Sequence, residues 1–192
     1  MSATEQSSST LNDKGLYESK WPLIDSDPHF KRVIGYLRPS DYATFAGLTA
    51  LGPAAMLWLD KYGPQNFKGN KPAFTTAMKT SFWFGALGAF FYVYQKSSMR
   101  FYGMLENARE AELDMQEMTE RARQGLPLYG KSIMPEHIQQ SAAANSQFSA
   151  VLMGFLPWFN FVNHPYHGVD TSKYYIAAGV PVPGSEEKVE TA

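Results

Sequence analysis

YATFAGLTALGPAAMLWL, residues 42–59, runs eighteen residues without a charge and closes on Asp60 and Lys61. Eight of the eighteen are Gly, Ala or Pro. At about 1.5 Å of rise per residue, a helix of this length reaches about 27 Å, close to the roughly 30 Å hydrocarbon core of a bilayer. Ser40 or Asp41 can cap its start, Trp58 stands at its far end where an interfacial aromatic belongs, and Gly63-Pro64 stops it. A buried helix of a soluble bundle can have the same length and composition. The choice therefore turns on the rest of the chain.

A second apolar run, TSFWFGALGAFFYVYQ at 80–95, lies between Lys79 and Lys96. Its sixteen residues reach about 24 Å, but AFTTAM at 73–78 can extend the helix upstream while Lys79 snorkels to the interface. Trp83 marks one end and Tyr92 and Tyr94 the other, a sorting of aromatics by depth that a bilayer selects and a soluble core does not. The segment 60–79 holds two Pro and two Gly and reads as a loop. The expected fold is an all-α membrane protein built on a two-span transmembrane helical hairpin, with spans at 42–59 and 80–96. Both termini then lie on one side. Lys31, Arg32, Arg38, Lys96, Arg100 and Arg109 flank the outer ends of the spans, against Lys61, Lys68, Lys71 and Lys79 in the loop. The excess of positive charge puts the termini on the inner side.

Small residues line the first span. Ala43 and Gly47 form one pair spaced by four, and Ala46, Ala50 and Ala54 form a second row. Lipid offers no hydrophobic drive for helix association, so close approach through small residues is the main route to contact. The first span is expected to dock on a partner, and the second, with Phe82, Phe84, Phe90 and Phe91, to face lipid.

The flanking segments follow from periodicity and composition. Residues 1–20 are Ser/Thr-rich, lack both a secretory signal and an Arg-rich presequence, and read as a disordered tail. Residues 21–41 form an amphipathic, interfacial segment in which Phe30, Val33, Ile34 and Leu37 mark a short helix over about 28–37. Beyond the second span, 97–124 reads as one long amphipathic helix. Phe101, Met104, Ala108, Ala111, Met115, Met118 and Ala122 make a narrow docking seam along it, ended by Gly125 and Pro127. Residues 125–180 form an extended partner-binding region, whose apolar segment 148–162 is broken by Pro157 and too short to span. Residues 181–192 are a polar tail.

Composition excludes more chemistry than it suggests. With no Cys there are no disulfides, thiolate nucleophiles or cysteine-held clusters. A net charge of -1, from 17 basic and 18 acidic residues, leaves no electrostatic footprint for nucleic acid. Aromatics reach 15% while charged residues stop at 18%, below the roughly 25% of a soluble domain. A mean hydropathy of -0.30 keeps most of the chain in water. His164 and His167 in HPYH, with Asp170 nearby, form the one metal-like cluster and are assigned to interface hydrogen bonding. GALG at 85–88 lacks the spacing of a dinucleotide loop. No catalytic residue, cofactor or metal is expected.

The segment WPLIDSDPHFKRVIGYLRPSDY at 21–42, followed by two hydrophobic spans and then ENAREAELDMQEMTERARQGLPLYG at 106–130, resembles the fungal 21 kDa accessory subunit family of mitochondrial respiratory complex I, NADH:ubiquinone oxidoreductase. The chain mass of 21.5 kDa agrees. The resemblance implies an accessory protein of the mitochondrial inner membrane on the proton-pumping arm, and the two-span reading with its charge count then makes it multi-pass with its termini in the matrix. It implies no cofactor, leaves room for structural phospholipids such as cardiolipin, and makes other membrane-arm subunits the partners in a hetero-oligomer. The expected function is a non-catalytic accessory subunit that stabilises the membrane arm and helps assemble it. The competing reading is a freestanding two-span organellar membrane protein, carrier-like or membrane-shaping. Trp58, Trp83, Tyr92, Tyr94, Lys79 and Lys96 are then interface anchors, Ala43, Gly47, Ala46, Ala50 and Ala54 the helix-packing face, and Phe101, Met104, Ala108, Met115 and Met118 the docking seam.

Overall fold

The structure is a computed structural model, and it describes residues 20–63, 71–146 and 158–183. The tail at 1–19, the loop at 64–70, most of the apolar segment at 148–162 and the end of the chain beyond 183 lie outside the described residues. Six helices occur among the described residues: α1 (Phe30–Gly35), α2 (Pro39–Tyr62), α3 (Lys71–Phe101), α4 (Ala108–Arg123), α5 (Glu136–Ser146) and α6 (Ser172–Ala178). The regular backbone pairing outside them is one isolated parallel bridge, between His29 and Asn160. The chain divides into two compact units, one holding residues 29–98 and 144–161, the other 1–28, 99–143 and 162–192.

In the first unit, α1 starts where the His29 ring accepts the Lys31 N–H at 3.1 Å, and the Phe30 N–H donates to the Asn160 carbonyl at 2.7 Å. Pro39 opens α2 with its fixed φ. Asp41 in the first turn accepts the Arg38 N–H at 2.9 Å and is fully buried, with Lys96 of α3 at 3.3 Å from its carboxylate. The Ser97 hydroxyl ties α3 to α1 by donating to the Val33 carbonyl at 2.9 Å. Phe30, Phe90, Tyr94, Phe159 and Phe161 pack as an aromatic cluster, closest between Tyr94 and Phe159 at 4.6 Å between ring centres.

The helices α2 and α3 touch through glycine. A Cβ on Gly52 would lie 2.5 Å from the Ser81 carbonyl oxygen, and one on Gly85 would lie 3.0 Å from the Thr49 oxygen. Pro53 inside α2 has no N–H, so the Thr49 carbonyl four residues earlier loses its helical donor. Gly85 is the residue that lets α3 close onto that freed oxygen. The close approach of α3 thus falls at the turn of α2 from which proline removes a donor.

The second unit is organised by the end of α3 and by the α4–α6 pair. Gly103, at φ +74°, turns the chain out of α3, and the Asn107 amide donates to the Arg100 carbonyl at 2.7 Å and to the Pro22 carbonyl at 2.8 Å. Met118 and Ala122 of α4 pack with Leu128 and with Tyr174 of α6, while the Tyr174 hydroxyl donates to Asp114 at 2.5 Å.

Several boundaries depart from the sequence reading. The first helix runs three residues beyond 42–59 at each end, because Pro39 starts it and Gly63 stops it. The loop expected at 60–79 is much shorter, since α3 already begins at Lys71. The single helix expected over 97–124 does not form. Residues 97–101 complete α3, and α4 begins at Ala108 after the Gly103 turn. The physical cause is the Asn107 amide, which takes up a terminal carbonyl of α3 and so ends that helix.

Substitution at the glycine contact gives a direct test. Gly52→Val forces a side chain into the Ser81 backbone and is expected to cost about 1–3 kcal/mol, whereas Gly47→Ala, with nothing within 4 Å of a new Cβ, leaves stability unchanged. Thermal unfolding of the two detergent-solubilised variants measures the difference. Equal midpoints would mean that α2 and α3 do not approach at Gly52.

Candidate functional site

The structure separates the expected anchors. Trp58 and Trp83 are 61% and 70% exposed, Tyr92 and Lys79 are also exposed, and all four remain available at the surface of this chain. Tyr94, at 1% exposure, is not an interface anchor. It lies one face round α3 from Tyr92 and closes the aromatic cluster on Phe30 and Phe159. Lys96 is also turned inward, to the buried carboxylate of Asp41. A lysine beside an apolar run can mark the water boundary or answer a buried acid, and spacing alone does not distinguish the two.

Ala43, Ala46, Gly47, Ala50 and Ala54 are all exposed in the chain by itself. The internal contact between α2 and α3 instead uses Thr49 and Gly52, on another stripe of the same helix. The docking seam is not continuous. Phe101 is buried at the end of α3, Met104 lies in the turn, Ala108 is exposed at the start of α4, Met115 is 37% exposed and Met118 is fully buried. The buried face of α4 is Glu110, Asp114, Met118 and Ala122, a spacing of four that begins with two carboxylates. An apolar count passes over such a face. Tyr174 is the partner that makes Asp114 tolerable in it.

The HPYH residues form the most polar buried cluster. His164 Nε2 lies 2.7 Å from Asp27 Oδ2, and His167 Nδ1 lies 2.6 Å from Asp25 Oδ1. The two imidazoles stack with centres 4.6 Å apart, and Tyr129 stacks on His167 at 3.6 Å. The backbone joins in, as the Ser26 N–H donates to the His167 carbonyl at 3.0 Å. Both histidines are buried, so the expected interface hydrogen bonds are made within the chain instead. Asp170 stands apart and exposed, accepting the Ser172 N–H at 2.9 Å at the start of α6. That backbone bond, with the Ser172 hydroxyl and then Lys173, holds its carboxyl below the usual carboxylate range despite a small opposing effect of burial. Among the described residues no group of three or more His, Asp or Glu is arranged to hold a metal ion.

Asp25 and Asp27 were not among the expected site residues. Their signal lies in the pattern: two acids two apart in LIDSDP, and two histidines three apart in HPYH, in a chain with four histidines in all. Pairing them requires the fold, because 142 residues separate Asp25 from His167.

Comparison with known proteins bears on both ends of this cluster. Residues 18–106 match the model of the NADH-ubiquinone oxidoreductase complex I, 21 kDa subunit. Residues 115–188 match that of the C-terminal of the NADH-ubiquinone oxidoreductase 21 kDa subunit. The first match holds Asp25 and Asp27, the second His164 and His167. The chain is similar to the NADH-ubiquinone oxidoreductase 20.9 kDa subunit of Neurospora crassa, 48% identical over 175 residues that cover 91% of this chain and 90% of that protein. With two consecutive matches and identity at this level over nearly its whole length, the chain belongs to the complex I 21 kDa subunit family.

Proposed function

We propose that this complex I subunit is non-catalytic and acts by bracing the membrane arm and assisting its assembly. The observation that carries the reading is the exposure of α2. It is the one described helix long and apolar enough to cross a bilayer, at 24 residues and a hydropathy of 1.3, yet only 6% of its apolar window is buried within the chain. A core helix of a soluble domain buries that surface. A helix that leaves it bare needs lipid or another protein to cover it.

The 31-residue α3 does not reach that apolarity by itself, and in this reading it crosses beside α2, on which it packs at Gly52 and Gly85, as the second helix of a hairpin in the mitochondrial inner membrane with both termini in the matrix. The exposed small residues Ala43, Ala46, Gly47, Ala50 and Ala54 supply a face for a neighbouring membrane-arm subunit. Phe84 and Leu87 of α3 face acyl chains, phospholipids such as cardiolipin fill the remaining gaps, and Trp58, Trp83, Tyr92 and Lys79 sit at the interfaces. The subunit holds no cofactor. Met115, exposed on α4 beside the buried Met118, belongs to an aqueous contact with a partner.

Three outcomes are expected. Alkaline carbonate leaves the protein in the membrane pellet, and its release would exclude integral spans. In cells lacking the chain, NADH oxidation by an artificial hydrophilic acceptor, normalised to assembled peripheral arm, stays near wild type, while quinone-coupled activity and the yield of intact complex fall together. Undiminished yield would remove the bracing role. Met115→Glu lowers incorporation into the complex by desolvating a charge at the contact, costing on the order of 1–3 kcal/mol, while the isolated chain unfolds at the wild-type temperature. Incorporation at the wild-type level would show that Met115 faces water.

A further inference from the structure

We infer that the two buried histidines differ in charge, with His167 a doubly protonated cation paired to the Asp25 carboxylate and His164 a neutral ring protonated on Nε2. The assignment follows from what each ring nitrogen faces. His167 Nε2 lies 2.6 Å from the His164 carbonyl oxygen, which has no proton to give, so Nε2 must carry one. His167 Nδ1 lies 2.6 Å from Asp25 Oδ1. A neutral ring with its proton on Nε2 would put the Nδ1 lone pair against that oxygen, so a second proton must lie between the two atoms. Asp25 Oδ1 also accepts the Asp27 N–H at 2.9 Å, so this oxygen is set as the acceptor of two N–H groups and the shared proton is assigned to the ring.

His164 faces the opposite demand on one side. Its Nδ1 lies 3.2 Å from the Tyr166 nitrogen, which donates its N–H, so Nδ1 keeps a lone pair. The proton is then on Nε2, donating to Asp27 Oδ2 at 2.7 Å. Two cations stacked with ring centres 4.6 Å apart in a buried site would repel strongly. One cation between a neutral imidazole and the face of Tyr129 at 3.6 Å does not, and the phenol ring offers its negative face to the charge. Asp25, His164 and Tyr129 thus face His167, and the proton count on each ring agrees with the stacking.

The consequence is a division of labour inside HPYH. His167 is a positioning residue, the counter-ion that lets Asp25 be buried in the segment matched by the first family model. His164 is a hydrogen-bonding residue whose charge is not needed. This assignment does not rest on the role proposed for the subunit.

The test uses the full chain in detergent micelles with histidine ring nitrogens labelled, and its four histidines keep the spectrum tractable. Long-range proton–nitrogen correlations at neutral pH are expected to show both His167 nitrogens protonated, and His164 with a protonated Nε2 and a bare Nδ1. A bare nitrogen on His167, or two protonated nitrogens on His164, overturns the inference. Variants give a second readout that does not depend on the assignment of resonances. Asp25→Asn, which keeps the shape and removes the charge, should lower the unfolding temperature, and adding His167→Gln to it should lower it little further. Asp25→Asn and His167→Gln with fully additive losses would show that no ion pair joins them.

Discussion

A chain segment that enters the interior outside any helix or sheet must find partners for its backbone groups, and residues 21–28, with Ile24, Asp25, Asp27 and Pro28 buried, are such a segment. Its donors and acceptors are met from two places far along the chain. The turn after α3 supplies the Phe101 and Gly103 carbonyls, which accept from Ile24 at 2.9 Å and from Trp21 at 3.2 Å, and the Asn107 amide, which donates to Pro22. The HPYH region supplies the His167 carbonyl and the two imidazoles. Gly103 belongs to the same constraint. A side chain there would collide with the Trp21 backbone, and its positive φ suits glycine alone among the residues at that turn. Once this segment is held, the end of α3 and the residues before α6 have fixed partners.

The contact between α2 and α3 depends on a different constraint. Proline in the middle of α2 frees the Thr49 carbonyl, and Gly85 of α3 approaches it so closely that an alanine Cβ would lie only 3.0 Å from its oxygen. Polar groups are treated in the same way elsewhere. Asp41, Asp114 and Glu110 are buried not because the fold tolerates acids but because Lys96, Tyr174 and Arg109 reach them.

The helical class and the long apolar helix α2 were legible, since eighteen uncharged residues ended by Gly63-Pro64 mark one continuous helix, although the start expected at Ser40 or Asp41 lies at Pro39. The short helix α1 was legible from Phe30, Val33 and Ile34. What failed was any inference from apolar residues alone about a face that polar residues share. The α4 seam counted Ala111 and Met115, and the buried stripe instead contains Glu110 and Asp114, because Tyr174 from far downstream pairs with one of them. Tyr94 and Lys96 were misplaced for a related reason. Each is defined by a partner remote in sequence, Phe159 for one and Asp41 for the other. Asp25 and Asp27 were visible as residues but not as a site, because spacing in one segment says nothing of a histidine that is 142 residues away.

That separation also sets an order of events in synthesis. At about 5–20 residues per second, roughly 7–30 s pass between the emergence of Asp25 and that of His167. For most of that interval the N-terminal acids lack the two imidazoles that pair with them in the fold, while the apolar stretch of α2 is already made. The chain therefore presents its greasiest segment first and acquires its polar closure last. Even the finished chain leaves the apolar window of α2 only 6% buried, so the subunit depends on something other than its own fold to cover that helix both during and after synthesis.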